Sequence, residues 1–153
     1  MPTKMNIKGV EKWFWPALDK YLNKNNLKQT QQRRKLIDQF LKLNTHIDAE
    51  MLHRKAKEIG LNVGLATVYR TLNLLEQAGL VEEHHFRDGR TLYELIPPNE
   101  HHDHLVCVRC GKVVEFENKG IEQLQDKVAK EHNFELTAHR LDLYGLCPVC
   151  RAK

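Results

Sequence analysis

The chain has 153 residues, enough for one ordinary domain or two small ones, with a formal net charge of +4 at pH 7 and 41% hydrophobic residues. No stretch approaches the roughly 18 consecutive apolar residues of a membrane span, and no charged segment followed by an apolar run opens the chain. We therefore expect a cytoplasmic protein that makes no membrane contact.

The basic charge lies in the first part of the chain. Up to position 96 there are 16 Lys and Arg against 11 Asp and Glu, a net of +5, whereas the remainder carries 8 against 9, a net of −1. Proline cannot continue a strand ladder easily, so Pro97-Pro98 indicates a hinge. The sequence predicts domains at 1–96 and 101–153, a hinge at 97–100, and a first domain that contacts a polyanion.

Four helices are predicted in the first domain from apolar positions at helical spacing. The first covers 9–25, with Pro16 near its start, where a missing N–H is least costly. Its Trp13-Phe14-Trp15 run is too short for a membrane anchor, and we expect it to pack against the protein body or a partner. Thr30 and Asp48 are the predicted N-caps of the second and third helices.

The fourth predicted helix, 64–77, has distinct apolar and polar faces. At 100° per residue, its core positions share one sector: Leu65, Val68, Leu72 and Leu75. Tyr69, Arg70 and Asn73 therefore face outward.

Two predicted strands follow, 80–86 and 91–96, joined by a turn in which Asp88-Gly89 is a strong hairpin signal. Helices followed by a hairpin, with a polar helix directly before it, predict a winged helix-turn-helix. In that architecture a recognition helix enters the DNA major groove while the wing contacts the phosphate backbone.

The second domain is predicted to mix strands and one helix, which makes the fold class α+β. The strands are 105–108 and 113–116, followed by a helix over 118–132 that directs Ile121, Leu124 and Val128 inward. Beyond it, apolar residues alternate from 134 to 143 with a change of parity near 139–140. That change predicts one strand with a bulge.

Metal-binding chemistry is concentrated at positions 101–107. If this run is extended, His101 and Asp103 point to one side while His102 and His104 point to the other, so one segment can supply two metal sites. Imidazole with carboxylate suits first-row divalent ions such as Fe(II), Zn, Mn, Ni or Co. A solvated His-rich loop is the alternative.

The cysteines also predict a metal site. All four fall in two Cys-x-x-Cys pairs: Cys107, Cys110, Cys147 and Cys150. In a reducing compartment such pairs indicate zinc rather than disulfides, and four thiolates leave no open coordination position, which makes the site structural. The alternative is that one pair is a redox dithiol.

Together these residues resemble the ferric uptake regulator (Fur) family of bacterial metal-dependent repressors, from about Leu27 onward. The most specific matches are the recognition-helix segment 63–73, the His-His-Asp-His-Leu run at 101–105, Cys-x-x-Cys-Gly-Lys at 107–112 and Leu-Tyr-Gly at 143–145. The resemblance implies a transcriptional repressor that binds AT-rich inverted-repeat operators in double-stranded DNA. It also implies a homodimer, which pairs through the C-terminal dimerisation domain and could assemble further into a tetramer.

The resemblance further implies the residues of each site. The sensing site would use His46, Glu94, His102, His104 and Glu115. A second site would use His101, Asp103, Glu122 and His139. DNA contacts would come from Lys28, Arg33, Tyr69, Arg70 and Asn73.

Some assignments stay open at this point. An additional residue between Glu94 and the His run makes Glu94 the least secure sensing ligand, and His53, His84, His85 and His132 match no site pattern. Fe(II) is the expected metal, with Mn, Co or Zn as substitutes, and zinc, manganese or peroxide sensing is the alternative within the family. A small metal-dependent hydrolase is a remote alternative, since no His-Glu-x-x-His helix is present, and we expect no enzyme.

Overall fold

The computed structural model describes residues 6–43, 46–98 and 100–153, so Asn99 of the predicted hinge lies outside the described residues. The chain divides into two units, Lys4–Glu100 and His101–Lys153. The described elements of the first unit are, in order, α1 (Ile7–Lys24), α2 (Gln31–Leu43), α3 (Ala49–Glu58), α4 (Leu65–Gln77), β1 (Val81–His85) and β2 (Thr91–Leu95).

Helices α2 and α3 begin where the sequence places their caps. Thr30 Oγ1 accepts a hydrogen bond from the Arg33 N–H at 3.1 Å, and Asp48 Oδ1 accepts one from the Met51 N–H at 2.6 Å. Each cap satisfies an N–H that has no partner inside its helix. The buried apolar faces of the four helices pack with β1 and β2 into one core.

Helix α1 belongs to this core. Phe14 is fully buried, and Trp13 and Trp15 pack partly buried around it, with the Arg34 guanidinium 4.3 Å from the centre of the Trp15 ring. A cation over an aromatic ring at an exposed site contributes about 0.5–1 kcal/mol. The aromatic run therefore packs against the body of the protein, one of the two roles expected for it.

The predicted position of Pro16 near a helix start is wrong. The helix begins at Ile7, where the Asn6 side chain accepts a hydrogen bond from the Lys8 N–H, so Pro16 lies inside it. The proline ring is exposed. The cap residue Asn6, rather than the proline, sets the helix start.

The helix before the hairpin has the two faces that its sequence predicts. Its inner side is buried at Val68, Leu72 and Leu75, whereas Tyr69 is 42% exposed. In the hairpin, β1 and β2 are antiparallel with Val81 opposite Leu95 and His85 opposite Thr91, and the turn uses Gly89 at φ +86°. This backbone conformation is accessible to glycine without a Cβ clash.

A third extended segment adds to the hairpin. Ile47 forms an isolated antiparallel bridge with Tyr93, in which the Tyr93 N–H donates to Ile47 O at 2.7 Å and the Ile47 N–H donates to Tyr93 O at 3.2 Å. The segment before α3 is thereby fixed beside β2.

The second unit contains β3 (Asp103–Cys107), β4 (Val113–Phe116), α5 (Lys119–Glu131), β5 (Asp142–Gly145) and α6 (Pro148–Arg151). Its sheet has the order β4-β3-β5, in which β3 pairs antiparallel with β4 and parallel with β5. Strand β3 begins two residues before its predicted start, so Asp103 and His104 belong to it. Among the described residues, no helix is both long and apolar enough to cross a bilayer.

Two predictions for this unit are wrong. The predicted strand over 134–143 forms only at Asp142–Gly145, because its pairing with β3 begins there, and the predicted bulge is absent from the described strands. On α5, Leu124 is 62% exposed and Val128 55% exposed, not directed inward. Phe134 and Leu136 are exposed beside them, at 72% and 44%. The described residues of the unit leave this apolar face uncovered.

In the first unit, carboxyl groups of α4 and β1 lie close together. Burial, the charge of Glu83 and a hydrogen bond to Glu83 raise the pKa of Glu76 above its ordinary value. The Tyr93 hydroxyl donates to Glu83 Oε1 at 3.4 Å, and burial together with Glu83 raises the pKa of Tyr93 to about 12. Ionised Glu76 is thus less favourable in the folded chain than in the unfolded chain.

We expect Glu76→Gln to stabilise the first unit at pH 7 and not at acid pH. A carboxyl whose pKa is raised by folding contributes stability below its unfolded pKa, and this contribution is lost as pH rises through the folded pKa. Because Glu76 is largely exposed, the gain at pH 7 should be only a few tenths of a kcal/mol. Urea unfolding at pH 7 and pH 4 measures the change in the free energy of unfolding, with Glu11→Gln on the exposed side of α1 as the control. An equal gain at both pH values would contradict the repulsion between Glu76 and Glu83.

Candidate metal centres and nucleic-acid interface

The four cysteines converge although 36 residues separate the two pairs. Strand β3 ends at Cys107, and the parallel register sets Cys107 opposite Gly145, two residues before Cys147. The turn after β3 uses Gly111 at φ +74°, and Cys147 caps the short helix that carries Cys150. One pair therefore sits on a turn and the other at a helix start, at the same end of the sheet.

Their geometry fits a tetrahedral zinc ion. The four Sγ atoms all lie within 4.8 Å of one another, and Cys110 Sγ is 3.7 Å from Cys147 Sγ. Zn–S bonds of about 2.3 Å in a tetrahedron separate the sulfurs by about 3.8 Å. No disulfide links any of the four.

The backbone around the sulfurs favours thiolates. The N–H of Cys110, followed by that of Cys147, lowers the pKa of Cys107 to about 5, and the N–H of Cys150 lowers the pKa of Cys147. Burial and the neighbouring thiols raise the pKa of Cys150 to about 12. Zinc binds thiolates, so the lowered pKa values of Cys107 and Cys147 favour the form that the ion needs. Cys150, in contrast, needs the charge of the ion to lose its proton.

A second cluster joins β3, α5 and the segment before β5. His101 Nε2 lies 2.9 Å from Asp103 Oδ1, and His139 Nε2 lies 3.3 Å from Glu122 Oε1. The two imidazole rings are 4.2 Å apart. The structure thus brings together all four residues predicted for the second site.

This cluster suits a divalent cation. The Asp103 side chain is fully buried, and Asp103 Oδ2, Glu122 Oε1 and His139 Nε2 are buried without a hydrogen-bond partner among the described residues. The carboxylates of buried Asp103 and half-buried Glu122 lie next to each other and repel, and an ion coordinated by two carboxylates and two imidazoles would remove that cost. The donor set matches first-row divalent metals.

A third cluster, the hairpin cluster, joins His84 and Glu94 of the β1–β2 hairpin to His46 in the segment before α3. His46 Nε2 is 3.2 Å from Glu94 Oε2, and His84 Nε2 is 3.0 Å from the same oxygen. His46 precedes the Ile47–Tyr93 bridge and Glu94 follows it, so backbone pairing sets these two side chains next to each other. Two predicted sensing ligands from the first unit therefore meet.

The sequence reasoning missed the third member of this cluster. His84 matches no site pattern in the sequence, yet it is 1% exposed and joins this cluster. Register could have found it, because the Asp88-Gly89 turn pairs His84 with Leu92 and Glu82 with Glu94, which makes His84 and Glu94 diagonal neighbours on one face.

The remaining predicted sensing ligands lie on the sheet of the second unit or directly before it. His104 is buried in β3, with Nδ1 3.3 Å from Asp142 Oδ1, and its neighbour across β4 is Glu115. His102 is half-buried just before the strand. Because His104 contacts Asp142 while His101 and Asp103 contact each other, the run does serve two sides of the strand, as its alternation predicts.

The first unit also presents the residues predicted to contact DNA. Tyr69, Arg70 and Asn73 are exposed on one side of α4, and Arg70 Nη2 donates to Thr67 Oγ1 at 3.1 Å, which orients the guanidinium along the helix. A cationic and polar helix face next to a hairpin is suited to the major groove and its phosphates.

Lys28 and Arg33 lie at the start of α2. The Lys28 side chain is exposed, and its backbone carbonyl accepts a hydrogen bond from Arg33 Nη1 at 2.9 Å. Arg33 therefore holds the Lys28 backbone in place. The DNA contact that the resemblance implies for Arg33 would use the guanidinium nitrogens that do not take part in this hydrogen bond.

Comparison with known proteins assigns the chain to a family. The model of the ferric uptake regulator family matches residues 24–144. The ferric uptake regulation protein of Neisseria gonorrhoeae is 46% identical over 133 residues, which cover 86% of this chain and 92% of that protein.

Solved structures agree with this assignment. The Vibrio cholerae ferric uptake regulator is 44% identical with a TM-score of 0.73, covering 84% of this chain and 98% of that one. The Helicobacter pylori ferric uptake regulator, whose structure is described as having three functional metal binding sites, is 27% identical with a TM-score of 0.82, covering 99% of this chain and 97% of that one. The chain thus belongs to the ferric uptake regulator family.

Proposed function

We propose that this protein is an Fe(II)-responsive transcriptional repressor that binds AT-rich inverted-repeat operators as a homodimer in the cytoplasm and controls metal-uptake genes. The observation that carries the proposal is the placement of His46, His84 and Glu94 in the unit that also presents the outward face of α4. An ion bound on the wing hairpin acts directly on the element that contacts DNA.

The ligand types favour iron. The hairpin cluster offers imidazole nitrogens and a carboxylate, and all four cysteines are assembled in a separate cluster. A zinc sensor built on cysteine therefore has no thiol left to recruit, whereas Fe(II), with Mn, Co or Zn as substitutes, suits nitrogen and oxygen donors.

In the proposed mechanism, His46 and Glu94 act with His102, His104 and Glu115 as the sensing ligands. Metal favours the DNA-binding arrangement only in so far as it binds that arrangement more tightly. A coupling of about 1–3 kcal/mol would change operator affinity roughly 5–150-fold.

The proposed homodimer rests on the uncovered apolar face of the second unit. Residues of α5 together with Phe134, Leu136 and Leu141 line an open groove of about 750 Å³. Exposed apolar patches of this kind are uncommon on monomers and mark association surfaces. A second copy of this chain would cover them and would place two recognition helices on the two halves of an inverted repeat.

We expect the full-length protein to retain an AT-rich inverted-repeat duplex only when Fe(II) is added. An anaerobic titration at one fixed salt concentration measures this, since phosphate contacts make affinity strongly salt-dependent. His102→Ala should abolish most of the metal response. Arg70→Ala should weaken binding at every metal concentration without moving the metal midpoint. A fully metal-responsive His102→Ala protein would sink the mechanism, and tighter binding driven by Zn(II) alone would reassign the sensor to zinc.

The dimer surface predicts a change of mass. Leu124→Glu places a charge on the uncovered face and should shift the protein to monomer in light scattering, with at least a 10-fold loss of affinity for the inverted repeat. Gln123→Glu adds the same charge on the exposed side of α5, outside the groove, and should remain dimeric. Two dimeric variants would show that another surface pairs the chains.

Removing one thiolate should destabilise the second unit. Because the free energy of zinc binding contributes to folding, Cys110→Ser should lose one zinc per chain and lower the free energy of unfolding by several kcal/mol. Metal analysis and hydrogen exchange at β3 and β5 report the two effects. Val108→Ser, on an exposed residue between the ligands, is the matched control. Full zinc retention by Cys110→Ser would argue against a four-thiolate site.

A further inference from the structure

We infer that His84 is itself a metal ligand, and that His46, His84 and Glu94 form a two-histidine, one-carboxylate site contained within the DNA-binding unit. The inference rests on the proposed function, because it adds a ligand to the proposed sensing site. The proposed sensing site then has two parts. The first unit assembles His46, His84 and Glu94 by itself, and the remaining sensing ligands complete the coordination.

Distances between the donor atoms carry the first step. Both Nε2 atoms approach the same oxygen, Glu94 Oε2, at 3.2 Å from His46 and 3.0 Å from His84. All three donors lie within 4.8 Å of one another. Ligands bound about 2.1 Å from one ion stand roughly 3.0–3.4 Å apart in octahedral or tetrahedral geometry, so a small movement of these side chains admits an ion.

Burial and rigidity carry the second step. The side chains of His84, His46 and Glu94 are 2%, 12% and 13% exposed. Two of them stand on paired strands and the third is held by the bridge at Ile47, so the donors are positioned before any ion arrives. Such preorganisation lowers the cost of ordering ligands on binding.

The composition of the set gives the third step. Two imidazoles and one carboxylate bind first-row divalent metals and leave coordination positions open. The DNA-binding unit can therefore hold Fe(II) alone, and further ligands then fill the open positions. Metal loading and completion of the site become two successive events.

One other role is compatible with a distance of 3.0 Å: His84 could hydrogen-bond Glu94 and only orient it. Loss of such a support lowers metal affinity about 10–100-fold without removing a coordinated nitrogen. Affinity alone therefore does not separate a ligand from a positioning residue. The test must count the coordinated imidazoles.

The experiment uses full-length protein with zinc loaded at the cysteines and Co(II) as the probe. His101→Ala, an exposed change, disables the second site in every sample. His84→Gln is compared with His84 intact and with His85→Gln, the neighbouring exposed histidine. X-ray absorption counts the imidazoles on Co(II), and titration gives its dissociation constant.

We expect His84→Gln to remove one imidazole from Co(II) and weaken binding at least 10-fold, while His85→Gln stays within 2-fold of the parent protein. An unchanged imidazole count would overturn the inference, whether or not affinity falls.

Because His84 is buried, a second variant tests the same point by a gain of signal. In His84→Cys, a thiolate directed at the ion should produce a near-ultraviolet charge-transfer band with Co(II), which His85→Cys should lack. Absence of the band in folded His84→Cys would count against ligation.

Operator binding by the unmutated full-length protein, measured separately, distinguishes this inference from the proposed function. Loss of an imidazole together with metal-independent DNA binding would retain the ligand and reject the repressor. An unchanged imidazole count together with metal-dependent DNA binding would reject His84 as a ligand and retain the repressor.

Discussion

The second unit depends on strand β3 being hydrogen-bonded on both edges. Its antiparallel pairing with β4 sets His104 opposite Glu115, and its parallel pairing with β5 sets His104 opposite Asp142 and Cys107 opposite Gly145. The central strand thus contributes to the cysteine cluster at one end and to the second histidine cluster at the other. A one-residue slip in either register would exchange the two faces and disperse both ligand sets.

Local signals in the sequence predicted much of the fold and of the candidate sites. N-caps at Thr30 and Asp48, the two faces of α4 and the Asp88-Gly89 hairpin all depend on residues close in sequence, and the structure contains each of them. The four cysteines converge, as their two Cys-x-x-Cys pairs predict, and the four residues that the family resemblance implies for the second site lie close together. The roles of these residues in binding metal and DNA remain predictions.

Other features depended on contacts that local patterns do not encode. Helical periodicity marked Leu124 and Val128 as apolar but could not say whether their own unit would cover them. Alternation over 134–143 predicted a strand, yet pairing with β3 is available only from Asp142. His84 was missed because its importance arises across the hairpin, through a diagonal relation to Glu94, and not from any motif in its own strand.

The hairpin cluster also bears on why metal could control DNA binding in this architecture. His84 and Glu94 stand on the two strands of the hairpin and His46 on the segment before α3, and a two-stranded hairpin depends for its stability on the packing around it. A bound ion would neutralise Glu94 and cross-link β1, β2 and the segment before α3, which together support the wing. The free energy of metal coordination would then stabilise the ordered state of the hairpin beside the recognition helix. A site made only of residues in the second unit could not stiffen the wing in this way.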